Sequence, residues 1–195
     1  MISADHFKTF CAASAVVTIL YIISFGLVFW VITPIQAEVL PEITVYASFF
    51  YLPHGIRVLA TAVLGVRAIP SLIMGEVVGN FLFWNIADPG MLLGISMIGG
   101  ILPWLGFELM RSFGISAYYL HTVDKMPTLS VLLFAGLVTS LLNGFVLTAI
   151  LEYSMKLGRV TQVMAAYAVG DMTGLLVVVM LIKLGARVFP HSWIS

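Results

Sequence analysis

Six predominantly apolar runs dominate this chain, near residues 10–32, 46–66, 69–86, 91–110, 127–152 and 160–186. Each is close to the ~20 residues a helix needs to cross the hydrocarbon core of a bilayer. Backbone immersed in lipid must satisfy its hydrogen bonds internally, so only helices or a closed barrel can result. A barrel needs shorter segments of alternating polarity, and these runs are too long and do not alternate. The breaks between runs are short: Thr33-Pro34, Ala68-Ile69-Pro70, Ala87-Asp88-Pro89-Gly90, Met126-Pro127 and Leu157-Gly158. The expected fold is therefore all-α: residues 1–195 form one integral-membrane bundle of about six spans.

Composition supports this. Of 195 residues, 61% are hydrophobic and 9% charged, whereas soluble domains carry about a quarter charged residues. Lipid must be the solvent for much of this surface. The first apolar run exceeds the ~7–15 residues of a signal-peptide core, and Ile35-Gln36-Ala37 is a poor cleavage site, so this run reads as a retained span. Basic residues fix an expected orientation. With the N-terminus inside, the inner ends hold Lys8, Arg67, Arg111, Lys125, Lys183 and Arg187, and the outer ends only Lys156 and Arg159. The first outer loop carries Glu38 and Glu42 and no base. An N-in/C-in topology follows.

Several function classes drop out. Nine basic residues offset nine acidic ones, which removes any electrostatic case for nucleic acid. Cys11 is the single cysteine, and His6, His54, His121 and His191 lack ligand spacing, so neither a disulfide framework nor a metal site is expected. No nucleotide-binding loop or nucleophile–base pattern stands out, so the reading is no enzyme and no cofactor.

What remains is an unusual set of polar residues inside the spans. Arg57, Glu76 and Asp171 fall near the middle of the second, third and sixth runs, at similar depth. A charge at mid-bilayer costs about 2.5–3.5 kcal/mol on insertion scales, so such groups face inward and pair. His54, Arg57 and Thr61 share one helix face; Glu76, Asn80 and Trp84 share another; Tyr167, Asp171 and Gly174 form a third stripe, with Asn143 a fourth contributor. Pro53 is expected to free a carbonyl within its span, and unsatisfied backbone at depth implies a cavity. One strong base faces two carboxylates, leaving the second carboxylate to be protonated, to share a proton, or to meet His54 as imidazolium. The plainer alternative is an ionic staple that only holds helix register. Other polar features carry less: Trp30, Trp84, Trp104 and Trp193 suit an interfacial belt, and Glu108 with Arg111 an i, i+3 pair. Small residues recur every fourth position (Ser71, Gly75, Gly79; Gly136, Ser140, Gly144; Ala166, Gly170, Gly174), and are expected to pack helices closely inside the bundle.

Two stretches add a family resemblance. YLPHGIRVLATAVLGVRAIPSLIMGEVVGNFL and YAVGDMTGLLVVVMLIKL resemble the signature of the first-described membrane-associated sensor domain of bacteria, the MASE type, with PWLGFELMRSF between them where the family has an acidic helix. The resemblance covers about residues 46–188, and Pro53, Gly55, Gly75, Asn80, Gly170, Asp171 and Gly174 are the matching positions. His54, Arg57 and Glu76 depart from the family pattern, so the cavity chemistry is expected to differ. The resemblance implies an inner-membrane sensory protein. Its members usually feed a cytoplasmic output module, whereas this sequence stops about nine residues beyond its last apolar run, so the signal is expected to pass to a separate protein. The leading expectation is thus a sensor that binds a small ligand or proton and signals to a protein partner. The alternatives are a transporter subunit resembling the substrate-capture component of energy-coupling-factor systems, or an accessory subunit of a larger membrane complex.

Overall fold

The structure is a computed structural model, and it describes residues 4–44, 48–119, 126–151 and 160–188. The expectations for Lys125, Lys156, Arg159, His121, His191 and Trp193 lie outside these residues. Among the described residues every regular element is helical. Helix α1 (Ala4–Leu27) runs through a π-helical turn (Val28–Ile32) into α2 (Thr33–Val39), followed by a short α3 (Pro41–Thr44). A π turn adds a residue and so shifts the helix face that follows it. Beyond this one, Gln36 is buried.

An extended stretch, residues 48–51, then leads into α4 (Leu52–Leu64). Sequence reasoning placed Pro53 inside a helix that frees a carbonyl. Instead the helix starts at Leu52 and Pro53 lies in its first turn, where the missing N–H has no partner to lose. A 3-10 turn, Gly65–Ala68, joins α4 to α5 (Ile69–Phe83). Gly65 has φ +59°, a backbone conformation open to glycine, and it ends α4. In a straight helix Arg57 and Glu76 would lie about 28 Å apart at 1.5 Å per residue, yet their side chains form an ion pair. The two helices therefore fold back on each other at Gly65–Ala68.

The remaining helices are α6 (Pro89–Ser112), α7 (Leu129–Leu151) and α8 (Val160–Val188). Asp88 caps α6, its carboxylate accepting the Met91 N–H at 2.6 Å. Directions follow from paired contacts. Thr18 meets Ser71, Tyr21 meets Glu76, and Trp30 meets Phe83, so α1 and α5 are parallel. Asn80 meets Ser96 while Ile73 lies against Gly100, so α5 and α6 are antiparallel. Gly144 faces Met164 and Gly136 faces Leu175, so α7 and α8 are antiparallel too.

Five helices are long and apolar enough to cross a membrane: Lys8–Val39, Leu52–Phe83, Pro89–Ser112, Leu129–Val146 and Met164–Gly185. The second and third expected spans both fall in the stretch Leu52–Phe83, which folds back on itself at Gly65–Ala68. At 13 and 15 residues, α4 and α5 measure about 20 and 23 Å, each short of a ~30 Å hydrocarbon core. The tip where they meet is covered. The Tyr119 N–H donates to the Ala62 carbonyl at 2.7 Å, satisfying an acceptor that the end of α4 leaves open.

Candidate functional site

Glycines decide how closely the polar segments approach. Gly75 and Gly79 of α5 lie beneath the rings of Tyr21 and Phe25, where any side chain would collide. This is the helix-on-helix role expected of the small residues. Gly170 and Gly174 do something else: they seat the extended stretch 48–51, with the Ser48 and Tyr51 carbonyl oxygens against them. The Tyr51 N–H donates to the Gly170 carbonyl at 2.9 Å, and the Phe49 N–H donates to the Gln36 side-chain oxygen at 2.7 Å. Thr173 donates to the Phe49 carbonyl. Non-helical backbone is tolerated among apolar helices when protein groups satisfy it in this way.

Within this frame the polar residues sort into two pairs. The first is Arg57 with Glu76, 4% and 2% exposed. The Tyr21 hydroxyl donates to Glu76 Oε1 at 2.8 Å and accepts from Arg57 Nε. Asn80 donates to Glu76 Oε2 at 3.0 Å and approaches Ser96 Oγ at 3.4 Å. The guanidinium carbon also lies over the rings of Tyr21 and Tyr51, 5.6 Å from each centroid. Both carboxylate oxygens of Glu76 are thus satisfied. Such a network fixes helix register.

The second pair is His54 with Asp171, 0% and 4% exposed. His54 Nε2 lies 3.1 Å from the Gly136 carbonyl of α7. A carbonyl only accepts, so Nε2 carries a hydrogen. Nδ1 faces Asp171 Oδ2 at 3.4 Å, off the line of a hydrogen bond, and is buried without a partner. Nδ1 and Oδ2 are thus two facing polar atoms, one on α4 and one on α8, with no hydrogen bond between them.

Of the expected site residues, His54, Arg57, Glu76, Asn80 and Asp171 are brought into these two pairs. Asn143 is buried on the face of α7 that carries Gly136, and Tyr167 lies half-buried one turn before Asp171. Trp84 is 58% exposed at the end of α5 and joins neither pair. Thr61 is fully buried with its hydroxyl unpartnered. Sequence reasoning missed Tyr21, Tyr51, Gln36, Ser96 and Thr173. A polar group within an apolar run is the signal that marks Tyr21 and Ser96, but neither carries a charge to draw the eye. Near the end of α6, Glu108 and Arg111 pair at 3.3 Å as expected, and Tyr118 donates to Glu108 at 2.8 Å. Comparison with protein-family models, curated proteins and solved structures returned no match.

Proposed function

We propose that this chain is an integral-membrane regulatory protein whose His54–Asp171 pair binds a proton and whose bundle passes the change to a partner protein. The observation that carries the reading is the unpartnered Nδ1 of His54, buried 3.4 Å from Asp171 while Nε2 is already committed to the Gly136 carbonyl. Ionisable groups among apolar helices are costly, and such a pair is a candidate functional site by default. The Arg57–Glu76 network then holds α4 to α1 and α5, the fixed frame against which α8 moves. The resemblance to the MASE-type sensor domain of bacteria supports the same reading, as an inner-membrane sensory protein, and the placement of basic residues supports both termini inside. Lys8, Arg67, Arg111 and Lys183 all fall at the end of the bundle where α1 begins and α4, α6 and α8 finish, as that orientation requires.

The test uses the full chain in lipid nanodiscs. Histidine side-chain nitrogen resonances are followed against pH, with His54→Gln identifying the His54 signal. A one-proton transition at His54 that is displaced or lost in Asp171→Asn supports the reading. A His54 signal that is unchanged by Asp171→Asn would sink it. A transporter subunit is the second reading, favoured by the helix broken at 48–51 and again at Gly65–Ala68, since discontinuous helices line transport sites. Proton-coupled flux into proteoliposomes would select it.

A further inference from the structure

We infer that the extended stretch 48–51 is a releasable strap that reads the state of the His54–Asp171 pair and carries it to α2; this rests on the proton-binding reading above. Its seat and the pair are the same piece of structure. Gly170, which accepts the Tyr51 N–H, immediately precedes Asp171, and the Tyr51 carbonyl accepts the His54 N–H at 3.1 Å as α4 begins. Gly174, one turn beyond Gly170, lies beneath the Tyr51 carbonyl, so the strap rests on bare backbone of α8. Attraction or repulsion between His54 and Asp171 acts directly across that seat.

The strap is also held by a hydroxyl that can let go. The Thr173 Oγ1 has one hydrogen and three carbonyls in reach: Phe49 of the strap, and Val169 and Gly170 of its own helix, at 2.9 and 3.0 Å. If the strap lifts, Thr173 turns its hydrogen back onto its own helix, so its hydroxyl is not left without an acceptor. At the far side the Phe49 N–H is tied to Gln36, which places α2 one hydrogen bond from the strap. The groups that bear electrostatically on the pair are few. Arg57 of α4 and Tyr51 of the strap are nearest in chain, Tyr167 lies on α8, and Glu76 of α5 and Tyr21 of α1 act through Arg57. From α7 the pair meets the Gly136 carbonyl, which does not titrate. Glu76 and Tyr21 are both bonded to Arg57.

The experiment pairs two measurements on the full chain in nanodiscs. Amide hydrogen exchange of peptides spanning 48–52 is followed against pH and corrected for the intrinsic rate. His54 is followed by nitrogen resonance in the same samples. Strap protection should change by roughly fivefold or more, the scale of a lost hydrogen bond or two, at the same midpoint as His54. Thr173→Val, which keeps the shape and removes the donor, should lower strap protection at every pH while His54 still titrates. A His54 that titrates above a strap whose protection stays flat overturns this inference alone. A His54 that does not titrate overturns the proton-binding reading and the strap with it.

Discussion

The hydroxyl of Tyr21 sits between Arg57 and Glu76, donating to the carboxylate at 2.8 Å and accepting from the guanidinium. Fifty-five residues separate Tyr21 from Glu76 in the chain. This contact ties α1 to the folded-back pair α4–α5, and it makes a phenol part of a buried ion pair. Tyr21→Phe keeps the ring over Gly75 and removes only the oxygen. It should cost about 1–3 kcal/mol, the range for leaving a buried charged partner short of a hydrogen bond. Reversible unfolding in mixed detergent measures this, and wild-type stability would contradict the network.

Arg57→Leu strands Glu76, and Glu76→Leu strands Arg57. Each should lose about 3–5 kcal/mol, because an uncompensated charge is left among apolar helices. The double variant should recover a large part of that loss, since neither charge remains. A double-mutant cycle with no coupling would show that the pair does not hold the bundle.

Gly174→Ala places a methyl group against the Tyr51 carbonyl, and Gly75→Ala places one in the Tyr21 ring. Backbone gives way less readily than a side chain. Gly174→Ala should therefore be the more damaging, with losses of about 1–3 kcal/mol typical of overpacking. Thermal denaturation of the two variants side by side tests the order.

Outside the apolar helices, Tyr118 offers a pH signature. Burial, and the carboxylate of Glu108 to which it donates, push its phenol above the ordinary value of 10.0. The folded protein holds this proton more tightly than the unfolded chain does. The stability it contributes is fully present below pH 10.0 and is lost as pH rises from there through the folded value. Ultraviolet titration of wild type against Tyr118→Phe should show one phenol ionising late. Glu108→Gln should bring that ionisation back toward the ordinary range.

Much of the architecture was legible before any coordinates. Apolar runs of span length leave a chain no choice but helices, because lipid offers the backbone no hydrogen-bond partner. Arg57, Glu76 and Asp171 were legible as an inward-facing set for the same reason, since charge at depth must find charge. The break at 48–51 was not. A run of apolar residues reads the same whether its backbone is helical or extended, and Pro53 marked the spot without saying on which side of it the helix lay.

By itself, then, the sequence determined that the described residues are mainly helical, that their helices are long and apolar enough to cross a membrane, and which ionisable side chains turn inward. Those are properties of single helices in a solvent. The tertiary structure alone decided the partners: Arg57 to Glu76, His54 to Asp171, Tyr21 into the first pair and the strap onto Gly170 and Gly174. His54 and Arg57 stand three residues apart on α4, yet one faces α7 and α8 while the other faces α1 and α5. A helix turns about 100° per residue, so three residues leave two long side chains some 60° apart. That angle places them in different grooves only once neighbouring helices have packed on either side.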